Sequence, residues 1–297
     1  MTGEANLRRA EQSTVPSSDG VDLRLHDFGG SGPPVLAAHA TGFNGLAWTP
    51  LARALAGRHV VAPDFRAHGG SAVSRGADLD WNRFADDVLA TVDTVGWDAL
   101  DASPRPVGVG HSMGGAALLL AELRRPGTFA GLWVFEPIIF PPEVRALSSS
   151  VDNPLSAGAR RRRPSFASRA EAIATYASKP PMNRFTDEAL AGYVEAGFVD
   201  EADGSVRLAC RPEDEARIYT TASTCTAFEQ LGSVTCPVAV VRGAIAELSP
   251  AAIAGPAAEA LAHGRLVAHD ELSHFGPMED PVGLAAEIEA FVATLDT

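Results

Sequence analysis

The sequence predicts an α/β fold: a mostly parallel, doubly wound sheet with helices on both faces and an inserted helical cap. Two observations predict this fold. Short apolar runs of strand length alternate with longer helical patterns along most of the chain, and the stretch from residue 137 to 233 breaks that alternation. Alternation of this kind is typical of parallel sheets, because each connecting helix packs against one face of the sheet.

The predicted core elements follow from the spacing of apolar residues. Strands are predicted at short apolar runs of three to five residues, and helices where apolar residues recur at a helical period. The predicted strands cover residues 21–25, 35–38, 60–62, 107–109, 132–135, 238–241 and 266–268. The predicted helices cover residues 46–56, 81–95, 116–125, 251–262 and 282–295.

The interrupting stretch predicts a cap. We expect a core of residues 12–137 and 233–296, with residues 138–232 forming a helical cap, because helical patterns occur there at 168–178, 187–195 and 212–222. A cap of this kind forms a substrate pocket and excludes water. Its aromatic residues are candidates to line the pocket, although aromatics at helical spacing more often hold a cap to its core. They are Phe140, Phe166, Tyr176, Phe185, Tyr193, Phe198, Tyr219 and Phe228.

The pentapeptide Gly110-His111-Ser112-Met113-Gly114 is a G-x-S-x-G motif between an apolar run and a helical pattern. In that context a strand turns sharply into a helix and exposes one serine at the turn, and glycines allow the close backbone approach. Ser112 is therefore the candidate nucleophile.

A serine nucleophile needs a histidine base, which a carboxylate orients. His274 follows the last predicted strand, on a loop, and is the candidate base, with His269 as the fallback. Two acids have suitable positions. Glu247 is the acid that the order serine, acid, histidine favours, because it lies on the loop after residues 238–242, and Glu136, at the end of an earlier strand, is the alternative.

Backbone N–H groups must bind the oxyanion that forms during acyl transfer. One donor is expected from Met113, the residue after the nucleophile, and the other from Thr41, on the loop after the strand at 35–38.

Four motifs carry a resemblance to a known family. They are the segments 39–43, 64–71, 110–115 and 274–281, and in this order they resemble the corresponding segments of α/β-hydrolase fold proteins. The resemblance implies an α/β-hydrolase fold with a helical cap and catalysis by a serine, a histidine and an acid. The sequence shows no metal, nucleotide or flavin motif, so no cofactor is expected. The chain differs at Ala40, where the family usually has glycine, and at Glu247, where it usually has aspartate. In relatives the loop at 64–71 is mainly scaffolding, so Asp64, Arg66 and His68 are not expected to be catalytic.

Three functions fit these residues. The favoured one is hydrolysis of a carboxylic ester, or a related acyl bond, of a small and largely apolar substrate through an acyl-enzyme. The same residues also fit hydrolysis of a carbon–carbon bond next to a ketone, or a perhydrolysis without cofactor. The third is a non-catalytic, ligand-binding role. Dehalogenase and epoxide hydrolase activities are disfavoured, because those relatives have aspartate where Ser112 stands.

The expected partner is a small-molecule substrate, and composition bears on the other classes of partner. The net charge of −13 disfavours nucleic acid, because binding phosphates needs basic surfaces. The three cysteines have no metal-binding spacing and fit a reducing, cytoplasmic location; neither a metal nor a membrane anchor is expected. The basic run at 160–163 is expected to pair with the chain's own carboxylates. The oligomeric state is not predicted.

Overall fold

The computed structural model describes residues 10–97, 104–148, 153–246 and 249–295. Its strands, numbered along the chain, are β1 (Glu11–Pro16), β2 (Asp22–Asp27), β3 (Pro34–Ala38), β4 (His59–Pro63), β5 (Val107–His111), β6 (Gly131–Phe135), β7 (Ser165–Phe166), β8 (Phe198–Asp200), β9 (Val206–Leu208), β10 (Val238–Arg242) and β11 (Gly264–Ala268). Eight of them form one sheet in the order β1-β2-β4-β3-β5-β6-β10-β11. From β4 to β11 all neighbouring strands are parallel, whereas β1 and β2 pair antiparallel at one edge. The prediction of a mostly parallel sheet is confirmed.

The helices lie between the strands, as the alternation predicts. They are α1 (Thr49–Ala54), α2 (Trp81–Val95), α3 (Met113–Arg124), α4 (Pro142–Ser148), α5 (Pro154–Arg160), α6 (Arg169–Ala177), α7 (Asp187–Gly197), α8 (Pro212–Thr221), α9 (Ala251–Ala260), α10 (Gly276–Glu279) and α11 (Pro281–Ala293). One predicted helix is shorter than expected: a 3₁₀ turn at Gly45–Trp48 precedes α1, so residues 46–56 are not one continuous α-helix.

Strand β6 illustrates how both faces of the sheet are buried. Leu132 and Val134 point into the apolar layer beneath α2, α3 and α9, and Trp133 and Phe135 into the layer beneath α1 and α11. Because side chains alternate along a strand, a strand between two layers is apolar at every position. This explains why the core strands read as unbroken apolar runs.

The segment between β6 and β10 carries α4 to α8 and also a small antiparallel sheet, in the order β7-β9-β8. Helices α6, α7 and α8 lie where the helical patterns were predicted, but the small sheet was not predicted. Strands of two or three residues are too short to give a recognisable alternation in the sequence. The segment packs on the core through α7, which contacts the 3₁₀ turn at Gly45–Trp48, and through the Trp81 indole N–H, which donates to the backbone oxygen of Ile218 on α8 (2.9 Å).

Candidate active site

Ser112 stands at the turn between β5 and α3. Its backbone has φ 54° and ψ −116°, a conformation that side-chain-bearing residues rarely adopt. Gly114 makes the turn possible, because a Cβ at this position would lie 2.1 Å from the backbone oxygen of Ala38. The sharp turn keeps Ser112 8% exposed at the carboxyl end of a buried strand. Strained backbone at such a position is a frequent property of functional residues.

His274 lies on the loop between β11 and α10 and is held beside the turn by His111. The Nε2–H of His111 donates to the backbone oxygen of His274 (2.7 Å), and the two ring centroids are 4.8 Å apart. Burial, followed by the proximity of His274, lowers the pKa of His111 well below its usual value. His111 therefore acts as a neutral donor that fixes the loop of His274. Sequence reasoning did not assign it a role, and its place before Ser112 was the only available signal.

Glu136 is in hydrogen-bond contact with His274. Its Oε2 lies 2.6 Å from the Nδ1 of His274, and its side chain is fully buried. Ser112 and Glu136 are neighbours across the sheet, because the Ser112 N–H donates to the backbone oxygen of Phe135 (2.9 Å). Glu136 itself has φ 45°, a second strained residue at the same edge. The alternative acid of the sequence analysis is thus the one in contact with the histidine.

Glu247, the acid that chain order favoured, lies outside the described residues, between 246 and 249. The described part of the same loop contacts Glu136, because the Gly243 N–H donates to the Oε1 of Glu136 (2.8 Å). A Cβ on Gly243 would lie 2.5 Å from the backbone oxygen of Leu272, so only glycine permits this approach to the histidine loop. The loop after β10 thus contributes a backbone donor that supports the carboxylate from β6.

His269, the fallback base, is engaged elsewhere. Its Nε2 lies 2.6 Å from a carboxylate oxygen of Glu287 and its Nδ1 lies 3.3 Å from Glu271. Both ring nitrogens of His269 therefore face carboxylates. In His274, by contrast, the Nδ1 faces the carboxylate of Glu136 and the Nε2 is left free. His274 therefore stays the candidate base.

The two expected oxyanion donors lie side by side. The hydroxyl of Thr41 donates to the sulfur of Met113 (3.3 Å), which brings the loop after β3 against the first turn of α3. Among the described residues, no acceptor is found for the backbone N–H of Thr41 or of Met113. Both N–H groups are therefore available to a substrate oxygen.

Phe43 joins the three segments around this site. Its ring packs edge-on against His111 (6.0 Å) and Tyr193 (5.0 Å), and stacks on Phe275, the residue after the base (5.9 Å). Phe185, from the segment between β6 and β10, contacts both Phe43 and Phe275. An aromatic wall thus connects the loop after β3, the loop of His274 and the proposed cap. Phe166, Tyr176 and Phe198 pack on one another within the cap, whereas Phe140 and Phe228 pack against the apolar layer beneath α2, α3 and α9.

The remaining charged candidates are structural. Arg66 is buried and binds the carboxylate of Asp87 (2.7 Å), which supports its predicted scaffolding role. Three members of the basic run pair with the chain's own carboxylates, as the sequence analysis expected. These pairs are Arg160 with Glu213 (3.0 Å), Arg162 with Glu215, and Arg163 with Glu171 (2.9 Å).

Across the described ranges, no group of three or more His, Cys, Asp and Glu side chains is arranged to hold a metal ion. No helix within those ranges combines the length and the apolar character that crossing a membrane requires.

Comparison with protein families gives a match over most of the chain. Residues 35–287 match the family described as the alpha/beta hydrolase family. Among curated proteins, human monoglyceride lipase is 33% identical over 152 residues, which is 47% of this chain and 49% of that protein. Rat protein phosphatase methylesterase 1 is 35% identical over 111 residues, 36% of this chain and 28% of that protein. The matched segments span half or less of these relatives.

Solved structures resemble the whole chain. The structure of E-2-(acetamidomethylene)succinate hydrolase superposes with a TM-score of 0.76 at 22% identity, covering 96% of this chain and 99% of that one. A thermophilic esterase from Thermogutta terrifontis superposes with a TM-score of 0.71 at 21% identity, covering 97% of this chain and 100% of that one. At these identities the likeness concerns the fold alone.

Proposed function

The chain belongs to the alpha/beta hydrolase family, and from this premise we propose that it is a serine hydrolase that cleaves carboxylic esters through an acyl-enzyme. Ser112 is the nucleophile, His274 the general base and acid, and Glu136 the orienting carboxylate. The backbone N–H groups of Thr41 and Met113 form the oxyanion hole. The relatives named as a lipase and a methylesterase support ester chemistry.

The reaction follows from this arrangement. Ser112 Oγ attacks the carbonyl carbon while the Nε2 of His274 takes its proton, and the carbonyl oxygen becomes an oxyanion between the two backbone donors. The same histidine then protonates the leaving alcohol, which gives an acyl-serine. Water attacks this acyl group by the reverse transfers and releases the acid. Glu136 stabilises the imidazolium that forms in each step and keeps the hydrogen of His274 on Nδ1.

One observation carries the proposal. The 2.6 Å contact between Glu136 and the Nδ1 of His274 leaves the Nε2 as the free nitrogen of that ring, on a loop fastened to the residue before Ser112. A buried carboxylate that binds a histidine beside a strained serine turn is the arrangement that activates a hydroxyl.

Activity on esters tests the proposal. We expect p-nitrophenyl esters of short and medium acyl chains to be hydrolysed with burst kinetics, since an acyl-enzyme accumulates when deacylation is slow. A panel with these esters, a vinylogous 1,5-diketone and acetate plus hydrogen peroxide separates the three catalytic alternatives. Hydrolysis of the diketone alone, or peracid formation alone, would replace ester cleavage as the function. No turnover and no reaction with a fluorophosphonate would favour the non-catalytic role.

We propose further that residues 138–232 act as a cap that selects a small substrate with an apolar portion. The contacts of Phe185 with Phe43 and Phe275 place this segment against both loops of the site. The cap also holds the loop after β3, because the Asn44 side chain donates to the backbone oxygen of Tyr193 on α7 (2.8 Å). A substitution in the cap is therefore expected to alter the binding of the acyl or alkoxy group of the substrate.

Phe185→Leu is expected to change the order of preference among esters of increasing chain length. The smaller side chain opens space beside the aromatic wall. An apolar pocket discriminates between substrates by about 1–3 kcal/mol per methylene group. The measurement is kcat/KM across a series of p-nitrophenyl esters, with fluorophosphonate labelling to count active sites.

The matched control is Phe198→Leu. Phe198 is equally buried in the cap but packs on Phe166 and Tyr176, not on Phe43. We expect it to leave the order of preference unchanged. If both variants keep the wild-type order while remaining folded, the cap does not determine specificity.

A reducing compartment such as the cytoplasm fits the cysteines. Cys210, Cys225 and Cys236 are buried and form no disulfide. Burial raises the pKa of the Cys236 thiol to about 12 and also raises that of Cys225, which keeps both thiols protonated and unreactive.

A further inference from the structure

Two buried histidines connect the loop after β3, which carries Thr41, to the loop after β4. The Gly42 N–H donates to the Nε2 of His68 (2.9 Å), and in return the Phe65 N–H donates to the Nε2 of His39 (2.9 Å). His39 follows β3, and His68 follows β4, so each loop supplies one histidine acceptor and one backbone donor. We call this reciprocal pair of bonds the histidine clasp.

The hydrogen bonds determine the tautomer of each ring. A backbone N–H can only donate, so each Nε2 must be unprotonated and each Nδ1 must carry the hydrogen. Both Nδ1 atoms have an acceptor that fits: the backbone oxygen of Ala40 for His39 (2.8 Å) and that of Arg66 for His68 (2.9 Å). All four ring nitrogens of the clasp are therefore satisfied by backbone groups.

The surroundings keep both rings neutral. Both side chains are buried, and their ring centroids are 5.0 Å apart. Burial, together with the nearby His68, lowers the pKa of His39 to about 3, although Asp64 acts in the opposite direction. Burial lowers the pKa of His68 to about 4, against the opposing effects of Asp64 and of Asp214 on α8. A neutral ring is required, since a protonated Nε2 could not accept from Gly42.

The clasp acts on the peptide that follows the proposed oxyanion donor. Gly42 comes directly after Thr41, and the peptide between them is planar, so fixing the Gly42 N–H fixes the orientation of that peptide. The Thr41 N–H belongs to the preceding peptide, whose Ala40 oxygen accepts from the Nδ1–H of His39 (2.8 Å), so the clasp holds the peptides on both sides of Thr41. Asp64 reinforces the same two loops, because it accepts from the N–H of Gly45 (2.7 Å) and of Gly70 (2.8 Å).

We propose that His68 is a positioning residue of the oxyanion hole: through its Nε2 bond to Gly42 it holds the Thr41 amide in the geometry that the transition state requires. The inference rests on the proposed function, because it assigns a role within that reaction. The hydrogen bonds of His68 are to the backbone of Gly42 and Arg66, so the role proposed for it is positioning and not catalytic.

Two substitutions separate the two bonds of His68. In His68→Gln the side-chain oxygen reaches the position of Nε2 and still accepts from Gly42, whereas the bond to the backbone oxygen of Arg66 is lost. In His68→Asn the shorter amide can donate to Arg66 but does not reach Gly42. The pair keeps polarity and burial similar and changes only which bond survives.

The test measures kcat and KM on a p-nitrophenyl ester for the wild-type protein and both variants, together with thermal unfolding. We expect His68→Asn to lower kcat roughly 10²-fold with little change in KM, because displacing a donor by about 1 Å weakens only transition-state binding. His68→Gln is expected to stay within about fivefold of wild type. The inhibition constant of an alkyl trifluoromethyl ketone, which forms a tetrahedral oxyanion on the serine, should rise in parallel with the loss of kcat.

Similar kcat values for the two folded variants, or a loss confined to KM, would overturn the proposal. If His68→Asn does not fold, ¹⁵N NMR of the imidazoles in wild-type protein decides. An unprotonated Nε2 of His68 coupled to the Gly42 amide supports the clasp, and an Nε2–H tautomer contradicts it. If wild-type protein neither hydrolyses esters nor reacts with a fluorophosphonate, the proposed function fails, and the same NMR signals still report on the clasp.

Discussion

Ser112→Ala is expected to lower kcat/KM for an activated ester by about 10⁴-fold or more, because the members of a catalytic triad act as a unit. The residual rate would come from binding and from the oxyanion donors. The fold should persist, because the hydrogen bonds of residue 112 to Phe135 and Ile138 involve its backbone alone. Steady-state kinetics with p-nitrophenyl butyrate and a thermal unfolding curve measure both quantities.

Ser156→Ala is the matched control for this loss. Ser156 is a buried serine of the cap whose hydroxyl donates to the backbone oxygen of Ala216 (3.0 Å), far along the chain from the turn. We expect this variant to lose some stability and to keep its turnover. Turnover near the wild-type value in Ser112→Ala would exclude a serine nucleophile at this position.

Glu136→Gln is expected to lower kcat by about 10⁴-fold, the loss found when the orienting acid of a triad becomes an amide. Glu136 accepts two hydrogen bonds, from the Nδ1–H of His274 and from the Gly243 N–H. A glutamine has one oxygen, so if it satisfies Gly243, its NH₂ group faces the histidine and selects the wrong tautomer. The measurement is kcat at constant pH, with the melting temperature to verify folding.

Glu247→Gln is the control that separates the two candidate acids. We expect its turnover to remain within a few-fold of wild type, since Glu136 occupies the Nδ1 of His274. A large loss in Glu247→Gln together with an active Glu136→Gln would move the orienting role to Glu247.

Much of the fold could be predicted because the core strands are buried on both faces and therefore apolar throughout. Strand β1 was missed for the opposite reason: its residues Glu11–Pro16 are mostly polar and lie exposed at the edge of the sheet. The small sheet of the cap was missed because β7 has only two residues. A strand can be recognised in a sequence only if it is buried on both faces or is long enough to show several alternations of polar and apolar residues.

Candidate site residues could be proposed from the sequence where the local turn or loop alone indicates a role. Ser112 lies in a glycine-bounded turn, and His274 lies on the loop after the last strand, so both could be proposed as candidates from the sequence. The acid could not be decided, because chain order permits both Glu136 and Glu247. The contact of Glu136 with the Nδ1 of His274 favours Glu136, and no spacing in the sequence encodes that contact. The partnership of His68 with Gly42 joins two loops, and no spacing in the sequence encodes it.

The claim that Ser112 is an activated nucleophile is central, and covalent labelling tests it most directly. The measurement is reaction with a fluorophosphonate, followed by peptide mapping with mass spectrometry and by labelling rates for Ser112→Ala, His274→Ala and Glu136→Gln. We expect a single adduct on Ser112 in wild-type protein, no adduct in Ser112→Ala, and labelling that is slower by orders of magnitude in the other two variants. An adduct on another residue, or undiminished labelling of Ser112→Ala, would contradict the proposed mechanism.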